Sequence, residues 1–156
     1  MSMYENIGVR GFVNLKLMRD GRVVYEVDDH NTILTMGKAE IARGLVADIS
    51  TGSKVDWMAL GLGSSTISAT DLTLGSEYLR YGLGSITGST ITTTTTNDTA
   101  QWIGSFTIDA TKTINEAGLF NASGLNSGSM IARTCFTDIV AGSQDTILAT
   151  WRIQFS

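Results

Sequence analysis

The sequence has no proline, a single cysteine (Cys135) and a single histidine (His30) among its 156 residues. One cysteine excludes a disulfide framework within the chain and any zinc site that needs several thiolates. No run of 18 apolar residues occurs, so the sequence predicts no membrane-spanning helix and no membrane partner. The lack of proline removes one device that protects the edge strands of a sheet. We therefore expect loops, charged side chains or neighbouring subunits to cover such edges.

Charged residues are also sparse, at 17% of the chain against roughly 25% in ordinary soluble domains. The formal net charge of −4 argues against nucleic-acid binding, which normally uses a basic face. Serine and threonine supply much of the polar surface instead of charged residues. Such a surface of hydroxyl groups is typical of β-sheets and of proteins that pack into assemblies. The first residues lack a basic stretch followed by an apolar one, so no secretory signal is predicted and synthesis in a reducing cytoplasm is expected.

An Asp-Gly turn between two β-rich runs predicts a hairpin near the start of the chain. Residues 12–18 and 23–27 are rich in β-formers, and the Asp-Gly pair at residues 20–21 suits the positive φ angles of a type I′ turn. The polar residues 28–32 are predicted to end the second strand. One short α-helix is predicted next, with Thr35 as its N-cap and an apolar stripe that includes Ile41, Leu45, Val46 and Ile49.

Short β-patterned segments recur through the rest of the chain. The pattern predicts a strand buried on both faces at residues 57–63, a helical turn within residues 71–80 and an exposed, threonine-rich strand at residues 87–96. Four more strands are predicted, at residues 100–108, 114–121, 130–140 and 146–155. The sequence therefore predicts an all-β fold, mainly an antiparallel β-sandwich or jelly roll, with one short α-helix near residues 35–48. Residues 1–10 are expected to form an N-terminal arm or first edge strand, and residues 11–156 a single domain.

No group of residues in the sequence predicts catalysis. His30 follows Asp28 and Asp29 in the predicted polar turn, where a solvated side chain is expected rather than a base or a metal ligand. Cys135 is interpreted as a small buried apolar residue rather than a nucleophile. The glycines of residues 61–63 do not complete a phosphate-binding motif. We therefore predict no enzyme activity, no catalytic residue, no metal and no cofactor.

Two acidic residues are predicted to form structural ion pairs. Glu116 lies in an otherwise apolar stretch, and a partly buried carboxylate needs a partner, which Arg80 or Arg133 can supply. Pairing of Glu77 with Arg80 is the other expected contact. Three tryptophans are predicted to pack in the core, with a sugar-stacking platform as the alternative, namely Trp57, Trp102 and Trp151.

The chain from residue 56 onward resembles a pattern found in virion proteins of tailed bacteriophages. A glycine-containing strand at residues 60–66 precedes a turn of the form Thr-Asp-x-x-Leu-x-x-Glu-x-x-Arg at residues 70–80. Three further pieces follow in order, at residues 114–121, 131–136 and 150–153. The resemblance covers about two-thirds of the chain, from residue 56 to residue 155.

This resemblance implies a capsid decoration (cement) protein of β-sandwich or jelly-roll fold. Such a protein, favoured as a homotrimer, would bind the major capsid protein on the outside of the head after synthesis in the host bacterial cytoplasm. We expect the N-terminal segment to reach the shell or a neighbouring subunit, and an ordinary first strand is the alternative. A tail, fibre or baseplate component and a carbohydrate-binding module are the alternative functions. The candidate partner-binding residues are Tyr4, Ile7, Val9 and Phe12.

Overall fold

The computed structural model describes residues 7–45, 54–82 and 84–156. Within these ranges the secondary structure consists of β-strands and one short helix. The elements in chain order are β1 (Val9–Arg19), β2 (Arg22–Ile33), α1 (Thr35–Gly44), β3 (Trp57–Gly61), β4 (Glu77–Tyr81), β5 (Ile86–Ile91), β6 (Thr99–Thr107), β7 (Lys112–Phe120), β8 (Met130–Ala141) and β9 (Thr146–Phe155).

All of these strands join one antiparallel sheet in the order β4-β3-β7-β8-β2-β1-β9-β6-β5. The two outermost strands, β4 and β5, are linked by a short connection. Tyr81 of β4 stacks on Phe106 of β6 at a centroid distance of 5.1 Å, so the two ends of the sheet lie close together. The sheet is therefore nearly closed, and the prediction of an all-β fold with one short helix is confirmed. No helix in the described ranges has the length and hydropathy required to span a membrane.

The core is enclosed by the two halves of this sheet. β9 places alternate residues inward, and Ile147, Ala149, Trp151 and Ile153 are all buried, as its sequence pattern predicts. β3 is buried on both faces, which is also as predicted. The largest side chains of the shared core come from both halves of the sheet and include Leu15, Met58, Leu60, Phe106, Leu119 and Trp151.

The predicted hairpin is confirmed, but its first strand is not an edge. Asp20 and Gly21 connect β1 to β2 with φ angles of 50° and 73°, as a type I′ turn requires. β1 pairs with β2 on one side and with β9 on the other. Residues 9 and 10 belong to this central strand, so the expectation of an arm or edge strand is wrong for them. Tyr4 lies outside the described residues.

β2 runs further than predicted. Residues 28–32 were expected to break the strand, whereas they continue it through Ile33. Asp28 lies opposite Asn14 and His30 opposite Phe12, so polar side chains occupy the solvent-facing side of a continuing strand. His30 is therefore part of a strand and not of a polar turn.

The helix differs from the prediction in its cap and in its buried face. Leu34 is the N-cap residue and makes no capping side-chain hydrogen bond, while Thr35 is the first residue of the helix. Gly37 and Glu40 are its buried residues, and Leu45 of the predicted apolar stripe is exposed. A Cβ atom on Gly37 would lie 2.1 Å from the carbonyl oxygen of Ile131, so only glycine permits this close approach. The end of the predicted helix, residues 46–48, lies outside the described residues, and so does Ile49 of the predicted apolar stripe.

Two further segments contradict the predicted secondary structure. Residues 77–81 form strand β4 instead of a helical turn. The threonine-rich strand ends at Ile91, and residues 92–98 form a loop that leads into β6. The carboxylate of Asp98 accounts for this loop, because it accepts hydrogen bonds from the backbone N–H groups of Thr93, Thr94 and Thr95.

Candidate functional site

A groove of about 620 Å³ lies on the outer face of the sheet, across strands β2, β1 and β9. Its floor follows the register of the strands, because Phe12 is opposite both His30 and Arg152, and Asn14 is opposite both Asp28 and Thr150. We call this surface the outer-face groove and define it by Phe12, Asn14, Asp28, Thr150, Arg152 and Gln154.

Neighbouring side chains hold the polar groups of the outer-face groove in place. The Asn14 amide donates to Glu26 at 2.6 Å and to Asp28 at 2.8 Å. Arg152 donates from Nε to the Gln101 side-chain oxygen on β6 at 2.8 Å. These contacts fix the orientation of an amide, a carboxylate and a guanidinium that face the same groove. Such preorganisation lowers the entropic cost of binding a ligand.

The loop at residues 92–98 forms one wall of the outer-face groove. Asp98 receives three backbone N–H groups and the hydroxyl of Thr99, and these hydrogen bonds hold the pKa of its carboxyl well below the usual range. The hydroxyls of Thr93 and Thr99 lie 2.7 Å apart and line the groove. The Gln154 amide donates to Thr94 and to Asp98. The run of threonines therefore supplies a hydroxyl-rich wall held by one carboxylate.

Phe12 and His30 add an aromatic pair at the side of the outer-face groove. Their ring centroids are 5.1 Å apart at an interplanar angle of 53°. Asp29 accepts the backbone N–H of His30. In the described part of the chain, no three His, Cys, Asp or Glu side chains are grouped so that they could hold a metal ion. The groove thus presents binding groups of mixed polarity.

Glu116 on β7 and Arg133 on β8 form a buried ion pair, away from the outer-face groove. Arg133 donates from Nη2 to Oε2 of Glu116 at 2.8 Å and from Nη1 to Oδ2 of Asp71 at 2.6 Å. Burial alone lowers the pKa of Arg133, but the hydrogen bonds to Asp71 and Glu116 outweigh it and leave that pKa raised. The structure therefore unites two residues that the sequence suggested as partners, and it adds Asp71.

The same Glu116 carboxylate occupies the backbone turn formed by the glycine-containing segment. Its Oε1 accepts the N–H groups of Gly63 at 2.9 Å and Ser76 at 2.7 Å, while its Oε2 accepts the N–H of Gly75 at 2.9 Å. A Cβ atom on Gly63 would lie 2.5 Å from Oε1. The glycines at residues 61–63 therefore give backbone donors access to an anion, and this anion is a side chain of the protein itself.

Glu77 and Arg80 form the second buried ion pair. Arg80 donates from Nε to Oε1 at 2.6 Å and from Nη2 to Oε2 at 2.8 Å of Glu77. Its Nη1 donates to the carbonyl oxygens of Ala122 and Ser127, and its guanidinium carbon lies 3.7 Å from the centroid of the Phe120 ring. This arginine therefore ties β4 to the loop between β7 and β8.

Cys135 and the tryptophans do not form a surface site. Burial raises the pKa of the Cys135 thiol, whereas a cysteine nucleophile depends on a lowered one.

The three tryptophans lie in different surroundings. Trp151 is fully buried, and Trp102 is partly buried with its indole N–H donating to the Val55 carbonyl. Trp57 is half-buried beside Gly82, whose added Cβ would lie 2.2 Å from the indole ring. The alternative of a shared sugar-stacking platform is therefore wrong.

The predicted partner-binding residues separate into two locations. Ile7, two residues before β1, and Val9, its first residue, are exposed, whereas Phe12 is half-buried in the outer-face groove. Other exposed apolar side chains lie on the β1–β2 hairpin and on β8, namely Val23, Val24, Tyr25 and Val140.

The sequence did not predict that Asn14, Asp28 and Arg152 line one groove, nor that Gln101 holds Arg152 there. The alternation of polar and apolar residues placed Arg152 and Gln154 outside the core, but alternation does not identify which strands are neighbours. Comparison of the chain with protein-family models, with curated proteins and with solved structures finds no match. The outer-face groove, the two buried ion pairs and the exposed apolar side chains are therefore the features from which a function can be inferred.

Proposed function

We propose that this chain is a non-catalytic structural protein of a tailed-bacteriophage virion. Its specific role is a capsid decoration protein that binds the outer surface of the major capsid protein lattice and stabilises the head. The sequence pattern that resembles virion proteins supports this proposal. Five of its residues form or hold the two buried ion pairs, namely Asp71, Glu77, Arg80, Glu116 and Arg133.

The observation that carries the binding role is the apolar row on β1. Val13, Leu15 and Leu17 alternate along the inward face of the strand and are buried. Ile7 and Val9 continue the same alternation, but their side chains are 76% and 37% exposed. Among the residues that the structure describes, Ile7 is largely uncovered and Val9 keeps about a third of its surface open at this end of the row. Its burial against a shell subunit would stabilise the complex through the hydrophobic effect.

Repetition makes such a small contact sufficient. A homo-oligomer, favoured as a trimer, presents one apolar row per subunit, and simultaneous contacts raise the overall affinity without a single strong site. The capsid exterior is accordingly the proposed location.

Cosedimentation with empty shells of the major capsid protein from the same phage tests this proposal. Replacing Ile7 and Val9 together by serine should lower the occupancy on shells at least about tenfold. Each buried aliphatic side chain contributes roughly 1.5–3 kcal/mol, and about 1.4 kcal/mol corresponds to a factor of ten. Leu125→Ser is the matched control, because Leu125 is also exposed but lies on the loop between β7 and β8.

Two results would overturn parts of the proposal. Unchanged occupancy of the double variant would remove the role of the β1 row. Localisation of the labelled protein on the tail of intact particles by electron microscopy would replace the head assignment with the tail, fibre or baseplate alternative. Native mass spectrometry checks the trimer separately.

A further inference from the structure

The outer-face groove has hydrogen-bonding capacity that its own residues do not use. Arg152 is held by its Nε contact to Gln101. Among the described residues, no group accepts a hydrogen bond from its two terminal nitrogens, Nη1 and Nη2. A guanidinium with both terminal nitrogens available matches the two oxygens of a carboxylate.

Acceptor and hydroxyl groups line the same groove as this guanidinium. Asp28, oriented by the amide of Asn14, offers carboxylate oxygens, and Thr93 and Thr150 offer hydroxyls from the wall and the floor. Sugar hydroxyls both donate and accept hydrogen bonds, so they need a lining of this mixed kind. The half-buried ring of Phe12 adds an apolar surface against which the C–H face of a sugar ring can pack.

The charge of the groove selects among anionic ligands. Lys16 and Arg152 carry positive charge into the lining, and Asp28 and Asp29 carry an equal negative charge. A phosphate-rich polymer needs an excess of basic side chains, and this chain has a net charge of −4. A saccharide with one carboxylate per sugar fits a groove of balanced charge. Its carboxylate can face the arginine, and its hydroxyls can face the two aspartates.

We propose that the outer-face groove binds an acidic saccharide, with the sugar carboxylate on the guanidinium of Arg152 and sugar hydroxyls on Asp28 and the threonines. The inference is independent of shell binding, because Ile7 and Val9 do not line the groove. It gives a virion protein a second surface, suited to the charged polysaccharides that coat cells.

Isothermal titration calorimetry with tetragalacturonate tests this inference, and its fully methyl-esterified form is the matched ligand. We expect the acid to bind and its ester, which lacks the negative charge, to bind at least tenfold more weakly. Arg152→Gln should weaken binding of the acid at least tenfold. Arg22→Gln, at the hairpin end of β2 and outside the groove lining, should leave binding unchanged.

A second variant separates geometry from charge. Arg152→Lys retains the positive charge and loses the two-nitrogen fork, so its affinity should fall between those of the wild type and Arg152→Gln. Failure of tetragalacturonate and of N-acetylneuraminate to bind would overturn the inference. Equal binding of acid and ester, or full binding by Arg152→Gln, would overturn it as well. Unfolding midpoints of the variants equal to that of the wild type show that the fold is intact.

Discussion

Arg133 donates to Glu116 over 2.8 Å, and only 3% of the first side chain and none of the second reaches solvent. The pair joins β8 to β7 and fixes the loop at residues 62–76 through the backbone donors on Glu116. Two opposite charges removed from water have a large desolvation cost, which their mutual contact and the surrounding hydrogen bonds offset. The loop is therefore held mainly by electrostatic and hydrogen-bonding contacts.

Glu116→Gln should lower the free energy of unfolding by about 3 kcal/mol. This is the lower end of the cost of breaking a buried ion pair, because Asp71 still contacts Arg133 after the change. Urea denaturation measures the loss. Lys16→Gln is the control, since Lys16 and Glu26 form an exposed pair at 3.4 Å whose removal costs about 0.5 kcal/mol. A loss for Glu116→Gln as small as that of the control would contradict the prediction.

The Asp98 loop should remain ordered in acid. Backbone hydrogen bonds from Thr95, Thr93 and Thr94 lower the pKa of Asp98, so its stabilising contribution is complete above the ordinary aspartate pKa of about 3.9. The contribution is lost only as the pH falls through the lower pKa of the folded state. NMR shifts of these three amides should thus stay native at pH 3. In Asp98→Ala the same amides should lose protection from hydrogen exchange at neutral pH, and retained protection would refute the role of the carboxylate.

Gly63→Ala should destabilise the protein, whereas Gly44→Ala should stabilise it slightly. The added methyl group at residue 63 would lie 2.5 Å from Oε1 of Glu116 and 2.9 Å from the backbone nitrogen of Ser76, and such overpacking costs about 1–3 kcal/mol. At residue 44, in the last turn of α1, nothing lies within 4 Å, and alanine favours a helix by up to about 1 kcal/mol over glycine. In thermal unfolding, the midpoint should fall for Gly63→Ala and rise slightly for Gly44→Ala. Equal shifts of the two midpoints would contradict the prediction.

Arg80→Lys should loosen the loop between β7 and β8. Lysine retains the charge but cannot reproduce the fork that contacts Glu77, Ala122 and Ser127, so we expect a loss of about 2 kcal/mol or more. Hydrogen exchange should become faster in residues 121–129. Arg43→Lys, at a largely exposed arginine paired with Glu40, provides the comparison and should change little. Unchanged exchange in Arg80→Lys would show that the loop does not depend on the guanidinium.

The sequence predicts strands well where one strong local signal decides the outcome. Asp20 and Gly21 adopt the positive φ angles that define the hairpin turn, and the alternation in β9 matches its buried face. Both signals act within a few residues and depend little on the rest of the chain.

The failed predictions arise where a side-chain contact or a shift in strand register overrides the local preference for strand or helix. Threonine favours strands, but in residues 93–95 the carboxylate of Asp98 captures backbone N–H groups that a neighbouring strand would otherwise use. Glu77 and Arg80 have a spacing typical of a helix. They meet in β4 because the register with β3 shifts between Leu60 and Gly61, which leaves Tyr78 as an extra residue and brings both side chains to one face.

The outer-face groove could not be predicted because it is a product of strand order. Asn14, Asp28 and Arg152 belong to β1, β2 and β9, and the last is far from the first two along the chain. A polar residue on the outer face of one strand gives no indication of which polar residues lie on the next. Only the antiparallel register places the three side chains in the same groove.

The junction between β2 and β8 determines how the sheet responds to mechanical load. These two strands pair through only two residue pairs, Thr32 with Arg133 and Ile33 with Ala132, whereas β1 pairs with β9 over ten residues from Val9 to Met18. A shear force between the two halves of the sheet is therefore carried at this junction by very few backbone hydrogen bonds. Among the strand pairs of the described sheet, this one has the fewest paired residues, so it opposes a load that pulls the two halves apart with the fewest backbone contacts.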